Sequence, residues 1–180
     1  MKTRILFSLF VIASVFVLNS CEDDLLDITE DFYYEQEVEV YTTDSAMTVV
    51  EVVDMAAYSD LIEQYGDKIK DIEISEVKYW LTFFEGEDDQ ELVLGLVTVA
   101  DGDGANETTI AEIENQNLKE LLDTPTELPI QQAGLDKMAD LIEMPPHVFQ
   151  LSTAVTCNKA PLNFKIKFQF KVALTANPLN

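Results

Sequence analysis

Arginine occurs once in this chain of 180 residues, at Arg4, and histidine once, at His147. Without further arginine there is no bidentate clamp for a carboxylate or a phosphate. A lone histidine rules out a His-rich metal set. Two cysteines, Cys21 and Cys157, do not make a disulfide framework. Basic residues are scarce: 11 Lys and Arg stand against 34 Asp and Glu, a formal charge of −23. Such a surface repels the phosphate backbone, which excludes nucleic acid as a partner. A Gly-rich phosphate loop, HExxH, CxxC and internal repeats are also absent. No apolar stretch reaches the roughly 20 residues of a spanning helix.

What is there begins at the N-terminus. Lys2 and Arg4 form a short basic region, Ile5 to Val17 is apolar and uncharged, and Leu18-Asn19-Ser20-Cys21 follows. That order and length are those of a secretory signal. The cysteine after the expected cut offers a thiol that can be acylated. These residues resemble the signal and lipobox of bacterial lipoproteins. The resemblance implies loss of residues 1–20 and acyl chains, palmitate among them, on Cys21. Two or more chains anchor a protein stably. Glu22, Asp23 and Asp24 come next. An acidic cluster there is similar to the surface-export signal of Bacteroidetes-type lipoproteins, and implies the outer membrane with the protein facing the cell exterior. Without Lys2 and Arg4, nine lysines remain and the formal charge is about −25. With Cys21 acylated, Cys157 has no partner within the chain.

Residues 21–34 read as an acidic tether whose aromatics, Phe32, Tyr33 and Tyr34, dock onto a single domain at 35–180. Glu37 to Thr42 alternates polar and apolar, the pattern of a half-buried strand, and Val-rich 47–55 is a second. Asp60-Leu61-Ile62-Glu63 opens a short helix near 59–69 as a capping box. Ile72 to Phe84 is the longest strand. Its apolar phase shifts between Ile74 and Val77, which predicts a β-bulge near Ser75-Glu76. Leu92 to Ala100 reads as the return strand of a hairpin, and Thr108 to Ile113 as another strand. Asn117 opens one helical turn, and 127–130 is extended. Leu135, Met138, Ala139 and Ile142 make the stripe of an amphipathic helix over 132–143, stopped by Pro145-Pro146. Phe149 to Cys157 and Phe164 to Ala176 close the chain. The second of these has the strongest period-two pattern in the sequence and belongs in the middle of a sheet.

Seven or eight strands joined by short turns predict a mainly β fold. They form a β-sandwich of two antiparallel sheets, with two or three short helices. The stretch DLIEQYGDKIKDIEISEVKYWLTFFEG, 60–86, is similar to small uncharacterised lipoproteins of the same surface class. That resemblance implies a fold and no catalytic residue.

Candidate chemistry is thin. His147 and Cys157 lie ten residues apart along a strand, about 33 Å if straight, too far for a nucleophile pair. Cys157 is in phase with core residues. Asp101-x-Asp103-Gly104 offers a weak calcium candidate through Asp101 and Asp103, against an ordinary Asp-Gly turn. Asp44-Ser45-Ala46 resembles the O-glycosylation acceptor of Bacteroidetes-type exported proteins at Ser45, against a turn capped by Asp44. Asn106-Glu107-Thr108 is an N-glycosylation sequon by pattern. On the strand from Val77, the face of Val77, Tyr79, Leu81 and Phe83 reads as core. The other face carries Lys78, Trp80, Thr82 and Phe84. Lys78, Trp80 and Phe84 could form an exposed platform for a sugar ring or a partner's apolar side chain. Alternatively, helix 132–143 covers that face with Leu135, Met138 and Ile142.

The expectation is a lipid-anchored, non-enzymatic binding or structural module. It needs no cofactor, reaches the membrane only through Cys21, and takes a carbohydrate or protein partner. The alternative is a hydrolase or carbohydrate-processing accessory using an acidic pair, recognisable by two carboxylates about 5–10 Å apart in a groove.

Overall fold

The computed structural model describes residues 27–177 and Leu179. The expected signal, Cys21 and the cluster Glu22, Asp23 and Asp24 lie outside the described residues. Eight strands form two four-stranded antiparallel sheets, with two short helices. Sheet A has the order β1-β8-β3-β6, built from β1 (Ile28–Thr42), β3 (Ile69–Phe84), β6 (Thr126–Glu127) and β8 (Leu162–Ala176). Sheet B has the order β2-β7-β4-β5, built from β2 (Ala46–Asp54), β4 (Glu91–Asp101), β5 (Thr108–Asn117) and β7 (Val148–Cys157). The expected mainly β sandwich is what forms.

The alternation of β8 places it. Every second residue from Leu162 to Ala176 is buried and the others are half-buried. β8 pairs along its length with β1 on one side and β3 on the other. Phe164, Phe168 and Phe170 point inward and meet Phe149 of sheet B and Tyr34 of β1 in one continuous core. Tyr34 stacks on Phe170 at 5.6 Å between centroids and meets Phe149 edge-on at 6.5 Å.

Four expectations need correction. First, β1 starts at Ile28, so residues 28–34, read as tether, belong to the sheet. Ile28 pairs with Ala176, and Tyr34 is fully buried. The acidic residues that suggested a tether, Glu30 and Asp31, sit on a strand at the sheet's edge, where charge is tolerated and blocks edge pairing. Second, β3 and β4 are not a hairpin. They lie in different sheets, and the connection between them crosses the sandwich. Gln90 pins that crossing by donating to the carbonyls of Lys159 and Pro161 at 3.0 and 3.1 Å. Third, the cap of α1 (Asp60–Tyr65) is Ser59, whose hydroxyl accepts from the Ile62 amide, not Asp60. Fourth, β3 carries the expected bulge between Ile74 and Glu76 and a further one between Leu81 and Phe83. The latter turns Phe83 outward, opposite Lys165 and 42% exposed, and turns Phe84 toward the core beside Phe164.

The helix α2 (Gln132–Glu143) matches its expected span. Its stripe is buried, but not on the face of Trp80. α2 touches β3, β4, β5 and β7, strands of both sheets, and closes one side of the sandwich. Leu135, Met138 and Ile142 therefore complete the inter-sheet core. Along β3 its neighbours are Ile72 to Ser75, away from Trp80. The expected turn at Asn117 forms as a cap: its side-chain oxygen accepts from the amides of Lys119 and Glu120, and Leu118 is buried below.

Candidate binding face

The outer face of sheet A is built by cross-strand rows. Register sets Glu37 beside Lys167 and Lys167 beside Trp80; one row on, Glu35 lies beside Gln169 and Gln169 beside Lys78. Period-two geometry brings these side chains to one surface. Lys167 Nζ lies 5.7 Å from the Trp80 ring centroid, a cation–π distance, and 2.8 Å from Glu35 Oε2. Gln169 donates to Glu35 Oε1 at 2.7 Å. The Lys167 hydrogen bond, helped by that of Gln169, holds the Glu35 carboxyl below the usual carboxylate range. Thr82 donates to Glu37 at 2.8 Å, and Lys165 lies 3.8 Å from Glu37. Lys78 is paired with Glu76 at 2.6 Å, which raises its pKa.

Two of the three platform residues, Trp80 and Lys78, do face outward, half-buried. Phe84 does not, because the bulge at Leu81/Phe83 turns it inward and presents Phe83 instead. The sequence holds both phenylalanines but no sign of which one the bulge exposes. The face offers four aromatic side chains, Tyr33, Tyr41, Trp80 and Phe83, with carboxylate acceptors and lysine donors, the groups that stack on and hydrogen-bond to a sugar ring or a polar partner. Among the described residues, no element lies over it. Trp80 emission is therefore expected to respond to acrylamide, a neutral quencher that the acidic surface does not repel. Lys167→Ala should steepen that quenching by uncovering the ring. A blue-shifted emission indifferent to acrylamide would mean the ring is covered.

The other candidate residues are spread apart. His147 and Cys157 sit at opposite ends of β7. The His147 ring lies with Nδ1 2.7 Å from the Ile142 carbonyl, closing the end of α2. Burial pushes the Cys157 thiol up to about 11, so it is not a thiolate at neutral pH. Asp101 is ion-paired with Lys137 at 2.9 Å and accepts from Asn106 at 2.6 Å, while Asp103 accepts from the Ala105 amide at 3.0 Å. Both carboxylates thus close the turn. Ser45 is exposed in the β1–β2 turn, which Thr42 rather than Asp44 caps by accepting from the Asp44 amide.

Two features escaped sequence reading. Glu51 points inward from the edge strand β2 and accepts from Gln36, which in turn accepts from the Tyr34 hydroxyl at 2.6 Å. Burial pushes the Glu51 carboxyl up. This chain ties the β1 and β2 edges together across the sandwich. The second is a shallow groove of about 570 Å³ between α2 and the 101–104 turn, floored by Leu141, Met144, Pro146 and Val148.

No family model matches the chain, and no curated protein matches it. Solved structures that this chain is weakly similar to include one titled Desmodium yellow mottle tymovirus, at 11% identity and a TM-score of 0.37, covering 85% of each chain. Another is titled turnip yellow mosaic virus, at 14% identity and a TM-score of 0.41, covering 85% of this chain and 82% of that one.

Proposed function

We propose that this chain is a lipid-anchored surface lipoprotein, held by Cys21 at the outer membrane and facing outward, that acts as a non-enzymatic binding module. The observation that carries the reading is Leu18-Asn19-Ser20-Cys21 after a basic and apolar leader, followed by Glu22, Asp23 and Asp24. The start of β1 at Ile28 agrees with it in scale. Seven residues from Cys21 reach at most about 25 Å, so the sandwich stands close to the bilayer. No described helix is long and apolar enough to cross a membrane. Binding rather than catalysis is favoured by the candidate groups themselves. Cys157 is a buried thiol, His147 closes a helix end, and Glu35 is engaged by Lys167 and Gln169. The outer face of sheet A, centred on Trp80, is the binding surface of this proposal, and a carbohydrate or a protein is its ligand class.

Fractionation of cells tests the anchor. Cys21→Ser is expected to move the protein out of the membrane fraction. Replacing Glu22, Asp23 and Asp24 with Ala should leave it lipidated but protected from protease added to intact cells. A Cys21→Ser protein that stays with membranes and resists extraction like the parent would defeat the lipoprotein reading.

A further inference from the structure

Each sheet ends in two edge strands, and an edge left open is a template for another chain. Three of the four edges are short, covered or guarded. β6 is two residues long. β5 is covered by the segment before α2, where the Gln131 amide donates to the Ile110 carbonyl at 2.7 Å, and further on Asn115 leaves the extended conformation at φ 52°. β1 carries Glu35, Glu37 and Glu39 on its outer face. β2 is different. Its nine residues pair with β7 in one unbroken register, with no bulge, proline or basic residue. The Cys157 amide donates to the Ser45 carbonyl at 2.8 Å, and the Met55 amide to the His147 carbonyl at 3.0 Å. Both ends of the ladder thus bond through odd-numbered residues, and the constant register makes the residues between do the same. The N–H and C=O groups of Ala46, Thr48, Val50 and Val52 therefore point to the open side, with no backbone partner there among the described residues. The four side chains are exposed and uncharged.

We infer that β2 is a strand-addition site, at which an extended basic segment of a partner protein pairs antiparallel with residues 46–54 and continues sheet B. Backbone geometry selects the shape. The open groups recur at every second residue, about 6.8 Å apart, a spacing that an extended chain matches and a helix does not. Glu51 selects the charge. It points inward from β2, half-buried, and accepts from Gln36. Among the described residues no cation is paired with it. An added strand places one side chain directly opposite Glu51 on the same inward face, at the short separation of a non-hydrogen-bonded pair. Lysine or arginine there completes an ion pair. A carboxylate is repelled, and an apolar residue desolvates Glu51 without a partner. Glu51 also turns away a second copy: a two-fold axis through Val50 would pair β2 with itself but set the two Glu51 side chains diagonally, about 7–8 Å apart, on one face. Val49 and Val53, which turn inward on either side of Glu51, call for apolar residues at the neighbouring inward positions. The partner segment therefore alternates, with one basic residue between two apolar ones on its inward side. The site lies on a different sheet from the face centred on Trp80.

Fluorescence anisotropy with the full chain in neutral detergent is the test. The probe is a labelled, end-blocked peptide, Thr-Val-Thr-Lys-Thr-Val-Thr-Val-Thr, which sets Lys opposite Glu51 when its two ends meet Asp54 and Ala46. It is expected to bind about tenfold more tightly than the same peptide with Glu in place of Lys. N-methylation of its threonine amides removes the donors that face β2 and should abolish binding with no change to the protein. Val50→Pro removes the central open N–H, at an edge where proline is tolerated, and should do the same. Glu51→Gln should bind the two peptides equally, whereas Glu114→Gln, on the far edge of sheet B, should keep the preference. No binding of the Lys peptide overturns the inference. So does binding that survives N-methylation, or a Lys preference that survives Glu51→Gln, either of which would mark attraction to the acidic surface at large. A full chain that sediments at twice the protomer mass, and at protomer mass as Val50→Pro, would put a second copy on β2 and overturn the choice of partner.

Discussion

Phe168→Ala is expected to lower stability by about 3–5 kcal/mol, the usual cost of deleting a buried phenylalanine, since the surroundings collapse only partly into the space. Phe168 is fully buried at the middle of β8, the strand that pairs with both β1 and β3. Its cross-strand neighbours are Gln36 on one side and Tyr79 on the other. The cavity would open where the two halves of sheet A share one strand. A domain of this size is stable by only about 5–15 kcal/mol, so the variant should be partly unfolded near physiological temperature. Lys167→Ala, the next residue on the opposite face, is expected to cost about 1 kcal/mol or less, since it loses an exposed ion pair with Glu35 and a contact over Trp80. Urea titration of both variants measures the contrast, and equal midpoints would invert the assignment of faces.

The second large effect is expected at Gly134, in the first turn of α2. In a free helix, Gly→Ala stabilises by about 1 kcal/mol through backbone propensity. Here a Cβ would stand 2.2 Å from the Thr109 carbonyl oxygen and 2.6 Å from the Ile110 Cα, both backbone atoms of β5. Backbone in a paired strand cannot give by that distance. α2 would have to lift from β5, straining the 2.7 Å hydrogen bond from the Gln131 amide to the Ile110 carbonyl and the bridge between Ala111 and Ile130. Gly134→Ala is therefore expected to destabilise by about 2–3 kcal/mol despite its better propensity. Hydrogen exchange should quicken in α2 and β5 before β8. A variant as stable as the parent would mean that the helix does not seat on β5 as closely as these distances require.

Both positions bear on how far the chain is legible without its fold. The alternation of Phe164 to Ala176 and the stripe of Leu135, Met138 and Ile142 are local periodicities. Each is a property of one segment against water, so the segments announce their own conformation and their buried side. The bulge at Ser75-Glu76 is legible for the same reason: a change of apolar phase within one strand has to be absorbed there. The leader proposed to end at Cys21 rests on an order of residue types and draws on no fold.

What stays hidden depends on partners. β3 and β4 look like a hairpin in isolation, but pairing with β8 and β7 draws them into different sheets. The stripe of α2 shows that it must be covered, not by what; the open side between β3 and β5 meets that need, and Gly134 is there because the approach is close. The bulge beside Leu81 has no phase signal, since Phe83 and Phe84 are chemically alike, and only pairing with Lys165 and Phe164 decides which one reaches solvent. The outer face of sheet A is likewise scattered along three strands, and it becomes one surface only when register sets Glu37, Lys167 and Trp80 in a row. Burial pattern is written residue by residue along the chain, whereas adjacency across strands is a choice among competing pairings, and that choice is settled by packing the whole core at once.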